Sequence, residues 1–200
     1  MFFKAVQQIK VAFIFLILLT VLTGLIYPLI VTELAQFFFP WEANGSLIQS
    51  DKKLIGSLLI GQSFTSEKYF WGRPSATVPP YNAENSSASN LALTNPAYLT
   101  EIKKRVALNN KNNLHNKNNL IPIDLVTASG SGLDPEISPA AAYDQVPRIA
   151  NARKISEDML KKLILAFTKK RFLGLFGEPR VNVLQLNLIL DNINYERTSA

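Results

Sequence analysis

One uncharged stretch, from Val11 to Thr32, constrains this chain more than any other feature. It reads VAFIFLILLTVLTGLIYPLIVT. An α-helix rises about 1.5 Å per residue, so about 20 apolar residues cross the hydrocarbon of a bilayer. The stretch meets that length. A helix that is apolar on every face needs either a large core or lipid around it. We read 11–32 as a transmembrane helix. A cleaved signal peptide has an apolar region of about 7–15 residues and a small-residue cleavage site. Here the run is longer, and Glu33-Leu34-Ala35-Gln36 comes after it without such a site. Phe37, Phe38, Phe39 and Trp41 form an aromatic belt of the kind that marks a membrane interface. The expectation is a retained anchor, with a kink at Tyr27-Pro28, because proline removes a backbone donor and clashes with the preceding turn.

Lys4 and Lys10 precede the span and no acidic residue does. The positive-inside rule then places residues 1–10 in the cytoplasm as a short tail and 33–200 on the outer side. The expected class is α+β: one N-terminal transmembrane helix followed by a single mixed α+β extracytoplasmic domain. The expectation from span and charge is a membrane crossed once.

Charge excludes some functions. The net charge is +6, and Lys4 and Lys10 carry two of those charges. The rest are scattered, apart from Lys169-Lys170-Arg171, whereas a nucleic-acid binder shows a dense basic stripe. The sequence holds no cysteine and a single histidine, His115. Thiol catalysis, disulfides and cysteine metal sites are therefore excluded.

Along the outer region, Leu54–Ile60 reads as a buried strand and Tyr69–Trp71 as a second one, ended by Gly72-Arg73-Pro74. Residues 75–95 are rich in Ser, Asn, Pro and Ala without apolar periodicity, and so long a loop tends to be functional or disordered. Asn95-Pro96 opens a helix, with Asn as cap and Pro at the first position. Residues 109–119 (NNKNNLHNKNN) form a low-complexity connector. Ile121–Thr127 alternates as a strand. Ser138-Pro139 opens a helix broken near Pro147. Ser156 caps another, with Ile155 and Leu160 as a hydrophobic staple. Asn182 caps a last helix whose apolar face carries Leu186, Ile189, Leu190 and Ile193.

Candidate chemistry is sparse. Gly56 to Ser63 has the frame of a phosphate-binding loop, but Gln62 stands where that loop needs lysine, and its middle is apolar. Ser129 and Ser131 between glycines have the look of a nucleophile loop. Yet a serine nucleophile needs a base, and His115 lies in the asparagine tract. Asp124, Asp134, Glu136 and Asp144 are spread too widely for a metal site. Arg73, between Tyr69-Phe70-Trp71 and Pro74, could bind a carboxylate or stack on a ring, or pair within its own loop. Composition and spacing lead to an anchored binding or accessory subunit.

A series of stretches adds more. In order they are Gly24-Leu25-Ile26-Tyr27-Pro28-Leu29, then 39–47 (FPWEANGSL), 56–64 (GSLLIGQSF), 69–77 (YFWGRPSAT) and Tyr81-Asn82. They continue with 86–96 (SSASNLALTNP), 125–139 (LVTASGSGLDPEISP) and 181–187 (VNVLQLN). Together they closely resemble the C subunit family of the bacterial Kdp potassium-transporting ATPase (KdpC). The asparagine tract is the one departure.

The resemblance implies an accessory, non-catalytic subunit of a P-type ATPase complex that imports K⁺ at high affinity. Its partners would be a channel-like K⁺-binding subunit, an ATP-hydrolysing subunit and a small membrane subunit. The family is described as a catalytic chaperone that raises the ATP affinity of the hydrolysing subunit. No cofactor would be held stably, and ATP would be met only through the complex. By resemblance Gln62 is the nucleotide-contact candidate. Arg73, Asn90, Asn95 and Ser129 are the interaction candidates. The positive-inside orientation puts Gln62 outside, where ATP is not, so an indirect effect is the physically simpler expectation. The competing classes are an anchored serine hydrolase using Ser129 or Ser131, and a solute-binding module.

Overall fold

A computed structural model describes residues 2–50, 53–112 and 120–198. His115 and most of the asparagine tract lie outside the described residues. The chain forms two compact units, Met1–Ile55 and Gly56–Ala200, considered in turn.

The first unit is dominated by α1 (Phe2–Val21) and α2 (Tyr27–Phe38), which are continuous through one widened π turn, Leu22–Ile26. Val6–Phe38 is long and apolar enough to cross a membrane, and none of its apolar window is buried within the chain. The π turn explains how Pro28 is tolerated. Proline cannot donate to the carbonyl four residues back, and its ring clashes there. The Tyr27 N–H instead reaches the carbonyl of Leu22, five residues back, so the widened turn lies directly ahead of the proline ring. The helix ends at Phe39, where Pro40 starts a short α3 (Pro40–Ala43). Trp41 Nε1 donates to the Leu47 carbonyl at 3.0 Å, and Gly45 takes a φ of +86° in the turn. Strand β1 (Leu47–Ser50) pairs with β2 (Lys53–Ser57).

The second unit combines helices with a small sheet, a mixed α+β fold. Helix α4 (Pro96–Asn112) is followed by a 3₁₀ turn (Ile123–Leu125), β3 (Glu136–Ile137), α5 (Pro139–Asp144) and α6 (Val146–Arg153). Then come α7 (Glu157–Phe167), β4 (Thr168–Lys169), β5 (Arg180–Asn182) and α8 (Val183–Thr198). The three strands run antiparallel in the order β3-β5-β4, with Ile137 and Thr168 both opposite Val181. The core lies between this sheet and the helices: Phe70, Ile137, Ala141, Val146, Ile149, Leu160, Ile164, Val181, Leu186 and Leu190. Caps are where the sequence places them. Asn95 Oδ1 accepts from Ala97 N at 2.9 Å, Ser138 Oγ from Ala141 N at 3.1 Å, Ser156 Oγ from Met159 N at 3.3 Å, and Asn182 Oδ1 from Gln185 N at 3.0 Å.

Four expectations are corrected. Leu54–Ile60 is not a buried strand: pairing stops at Ser57, and Leu54 and Leu59 are exposed. Tyr69–Trp71 is not a strand, because side chains rather than a neighbouring strand satisfy its backbone. Ile121–Thr127 is a 3₁₀ turn with Ile123 exposed and only Leu125 and Val126 buried. Its alternation is broken by Pro122 and Asp124, whose carboxylate accepts from Ser138 N at 2.7 Å. Finally, 109–112 is not connector but the last turn of α4. Asn109 is buried, and its Nδ2 donates to the carbonyls of Arg105 (3.0 Å) and Leu125 (3.5 Å).

Candidate functional site

The segment 67–73 crosses the second unit without regular structure, yet it is held from several helices. A buried backbone polar group must find a partner. The Phe70 N–H donates to Asn187 Oδ1 at 2.8 Å, and Asn187 Nδ2 donates to the Phe70 carbonyl at 2.9 Å. At Trp71, Gln145 does the same: Trp71 N–H to Oε1 at 2.7 Å, and Nε2 to the Trp71 carbonyl at 3.1 Å. Two side-chain amides thus stand in for neighbouring strands. Both are fully buried. Arg148 lies 3.9 Å over the Trp71 ring and donates to the carbonyls of Glu67 and Tyr69 and to Gln145 Oε1. Burial pushes its guanidinium down to about 10. Arg153 bonds Asp191 at 2.8 Å and the carbonyls of Lys68 and Leu190.

This clamp delivers Arg73 to the edge of a cleft of about 450 Å³, walled by Phe64, Trp71, Tyr81, Arg105 and Asn109. Arg73 pairs with Asp134 at 3.1 Å and donates to the Ala128 carbonyl at 3.4 Å. Its buried Nε has no hydrogen-bond partner among the described residues. Tyr81 O–H donates to the Arg73 carbonyl at 2.6 Å. Burial first, then the Asp134 charge, raises that phenol to about 12. The ring rests where glycine is required: a Cβ on Gly61 would lie 2.5 Å from Tyr81 Cε1 and 2.6 Å from the Asp134 carbonyl oxygen.

The polar loop 75–95 is ordered by this neighbourhood. Ser75 Oγ donates to the Gly132 carbonyl at 2.7 Å and accepts from Tyr81 N at 3.0 Å. Thr77 Oγ1 accepts from Asn82 N, and Ser87 N donates to the Ser131 carbonyl. Gly132 takes a φ of +70°, and a Cβ there would meet Thr77 Cγ2 at 2.6 Å. Residues 75–87 and the segment 129–134 are therefore joined at both ends of that stretch, by Ser75 and by Ser86 and Ser87.

The candidate residues sit in different settings. Gln62 is half-buried, its amide folded into the space beside Gly56 that a Cβ would fill. The amides of the glycine-framed stretch are engaged within the chain: Leu59 N to Ser57 Oγ, Ile60 N to the Ser57 carbonyl, Gly61 N to the Leu133 carbonyl. Ser129 is buried, and its hydroxyl accepts from Gly132 N at 2.9 Å. Asn95 caps α4. Asn90 is exposed with φ +52°. Arg73 is brought to Asp134, whereas Asn90 and Asn95 lie along the outer loop. Among the described residues no group of three metal-ligating side chains is assembled. The arrangement offers ring faces, amide edges and a neutralised guanidinium, which is the chemistry of recognition. Sequence reasoning missed Gln145, Arg148, Arg153, Tyr81 and Asn187. The one signal for them was an asparagine set between Leu186 and Leu190 on a buried helix face.

The family model for KdpC, "K+-transporting ATPase, c chain", matches residues 9–192. A "Potassium-transporting ATPase KdpC subunit" of Rhodopseudomonas palustris (strain BisB5) is 53% identical over 197 residues, covering 92% of this chain and 96% of the relative. The like-named protein of Methylococcus capsulatus is 53% identical over 188 residues, covering 93% and 98%. That of Polynucleobacter asymbioticus is 56% identical over 177 residues, covering 88% and 93%. With its own sequence matched almost from end to end, this chain belongs to the KdpC family, the c chain of the K⁺-transporting ATPase.

Proposed function

We propose that this chain is the accessory, non-catalytic subunit of a high-affinity, ATP-driven K⁺ import complex. The observation that carries the reading is the family match over residues 9–192, with relatives named as subunits of a potassium-transporting ATPase. Residues 11–32 anchor the chain in the bacterial inner membrane, residues 1–10 lie in the cytoplasm, and 33–200 lie outside. The partners are a channel-like K⁺-binding subunit, an ATP-hydrolysing P-type subunit and a small membrane subunit. The outer domain stabilises their assembly, and any gain in ATP affinity is transmitted through the complex rather than by Gln62 touching nucleotide. Two observations support the indirect route. The backbone amides of Leu59, Ile60 and Gly61, just ahead of Gln62, are already used within the chain, and Lys4 and Lys10 favour a cytoplasmic N-terminus.

The test uses the chain's lack of cysteine. Gln62→Cys carries the only thiol and is treated with a membrane-impermeant maleimide in sealed right-side-out vesicles. Labelling from outside is expected. In parallel, ATPase activity of the reconstituted complex is measured against ATP concentration with and without this chain. Its omission is expected to raise KM for ATP. Labelling only from the cytoplasmic side would overturn the indirect route, and an unchanged KM would remove the chaperone role.

A further inference from the structure

The second unit carries one feature that neither its core nor its cleft uses. Between β4 and β5 the chain makes a hairpin, and at its tip Phe172, Leu173, Leu175 and Phe176 are 71%, 75%, 77% and 65% exposed. Scattered exposed apolar residues are ordinary, but a contiguous cluster of large ones marks an interaction surface. The tip is also built with care. Phe172 and Phe176 exchange both backbone hydrogen bonds, at 2.8 and 3.0 Å. Leu173, Gly174 and Gly177 take φ values of +52°, +74° and +80°. A leucine in the left-handed region is uncommon and persists only where its surroundings impose it. At the base of the tip Arg171 grips both oxygens of Glu178 at 2.7 Å. The hairpin holds its apolar side chains outward.

We propose that this tip is the element by which the domain docks onto another subunit of the ATPase complex, and that its receptor is an apolar socket with a carboxylate rim. The proposal rests on the reading of the chain as a complex subunit and names the surface that reading leaves open. Charge supplies the rim: Lys169, Lys170, Arg171 and Arg180 ring the base of the hairpin, against Glu136 and Glu178. The collar stays cationic after its internal pairs are made. A protein socket fits better than lipid on two grounds. The backbone of the tip is closed by the paired hydrogen bonds between Phe172 and Phe176, a defined shape that a fluid surface does not need. It carries neither Trp nor Tyr, the residues favoured at membrane interfaces. Phenylalanine is among the residues enriched at protein interfaces.

The experiment is a photo-cross-link in the whole complex. Leu173→Cys provides this chain's only thiol; the purified variant chain is coupled to a benzophenone maleimide before it is assembled with the other subunits, and the complex is then irradiated. The expected product is one adduct joining this chain to another subunit of the ATPase, identified by peptide mass. An adduct to lipid, an adduct to a second copy of this chain, or no adduct overturns the proposal. A second variant, Phe172→Ser with Phe176→Ser, is expected to lower co-purification of the other subunits at least about tenfold, the range of a lost hot spot. Its cooperative thermal transition should be retained, because both rings are exposed; Leu59→Ser, an exposed apolar position elsewhere, should leave co-purification unchanged. Unaltered co-purification in the double variant also overturns the proposal. If the unmodified chain brings down no ATPase subunits, the functional reading fails first, and that result is distinct from a failed cross-link in an intact complex.

Discussion

At the scale of single residues, Asn187 has the most demanding position. Its amide satisfies both backbone groups of Phe70, in a place water does not reach. Asn187→Leu keeps the volume roughly constant but orphans a buried donor and a buried acceptor, each costing about 1–3 kcal/mol. We expect a loss of about 2–5 kcal/mol in the denaturant unfolding free energy, with Ile189→Leu on the same helix as a near-neutral control. Tyr81 gives a pH-dependent signature. Its folded pKa is raised to about 12 from 10.0, so the folded state holds the phenolic proton longer than the unfolded chain. The stability it contributes is complete below pH 10 and is lost as pH rises through about 12. In an ultraviolet titration of tyrosinate, one component near 12 should disappear in Tyr81→Phe. A titration in which Tyr81 ionises with the exposed tyrosines would contradict the buried phenol.

At the scale of elements, the helices of the second unit are determined by caps and apolar faces. Ser156 closes the first turn of α7, and Leu160 and Ile164 fill its inner face with no exposure. Ser156→Ala should cost about 1 kcal/mol, the usual value of such a cap. Leu160→Ala should cost about 2–5 kcal/mol through lost burial and the cavity left behind. Thermal unfolding followed by circular dichroism checks both, and a Leu160→Ala variant within about 1 kcal/mol of the parent would mean that the core has been misplaced. These elements were legible because their signals are local: Asn95-Pro96, Ser138-Pro139 and Ser156 sit beside the backbone they cap. The strands were not. Tyr69–Trp71 has strand-forming residues, but the groups that pair with its backbone are Gln145 and Asn187, more than 70 positions away in the chain. Period alone could not see that those partners are side chains. Ile121–Thr127 failed for a related reason, because Asp124 is drawn aside to the amide of Ser138.

At the scale of the whole molecule, the two compact units predict independent folding of the second. The stretch Gly56–Ala200 contains the core, the sheet and the clamp on 67–73. Expressed without the membrane helix, it should melt in one cooperative transition. Its radius of gyration should be about 15 Å by small-angle scattering, the value for a compact domain of that length. A chain that scatters as an expanded coil would show that the anchor unit is needed for folding. In the first unit the outcome rests on solvent. Among the described residues, the apolar side chains of α1 and α2 stay unburied within the chain, which fits a helix that crosses a membrane.

By itself the sequence determined the apolar span, the mixed helical class of the domain after it, the helix caps and the family. Each of these rests on local chemistry or on a linear pattern of residues: hydropathy over one stretch, a hydroxyl beside free amides, a series of short motifs in fixed order. Only the tertiary structure decided that Arg73 is neutralised by Asp134, that Ser129 and the Gly61 amide beside Gln62 hold loops together, and that Ser75, Ser86 and Ser87 tie the polar loop to 129–134. It also decided that the Phe172–Phe176 hairpin faces outward. A residue's neighbours across the fold set whether its polar group is spent within the chain or offered to a partner, and no one-dimensional pattern carries that information.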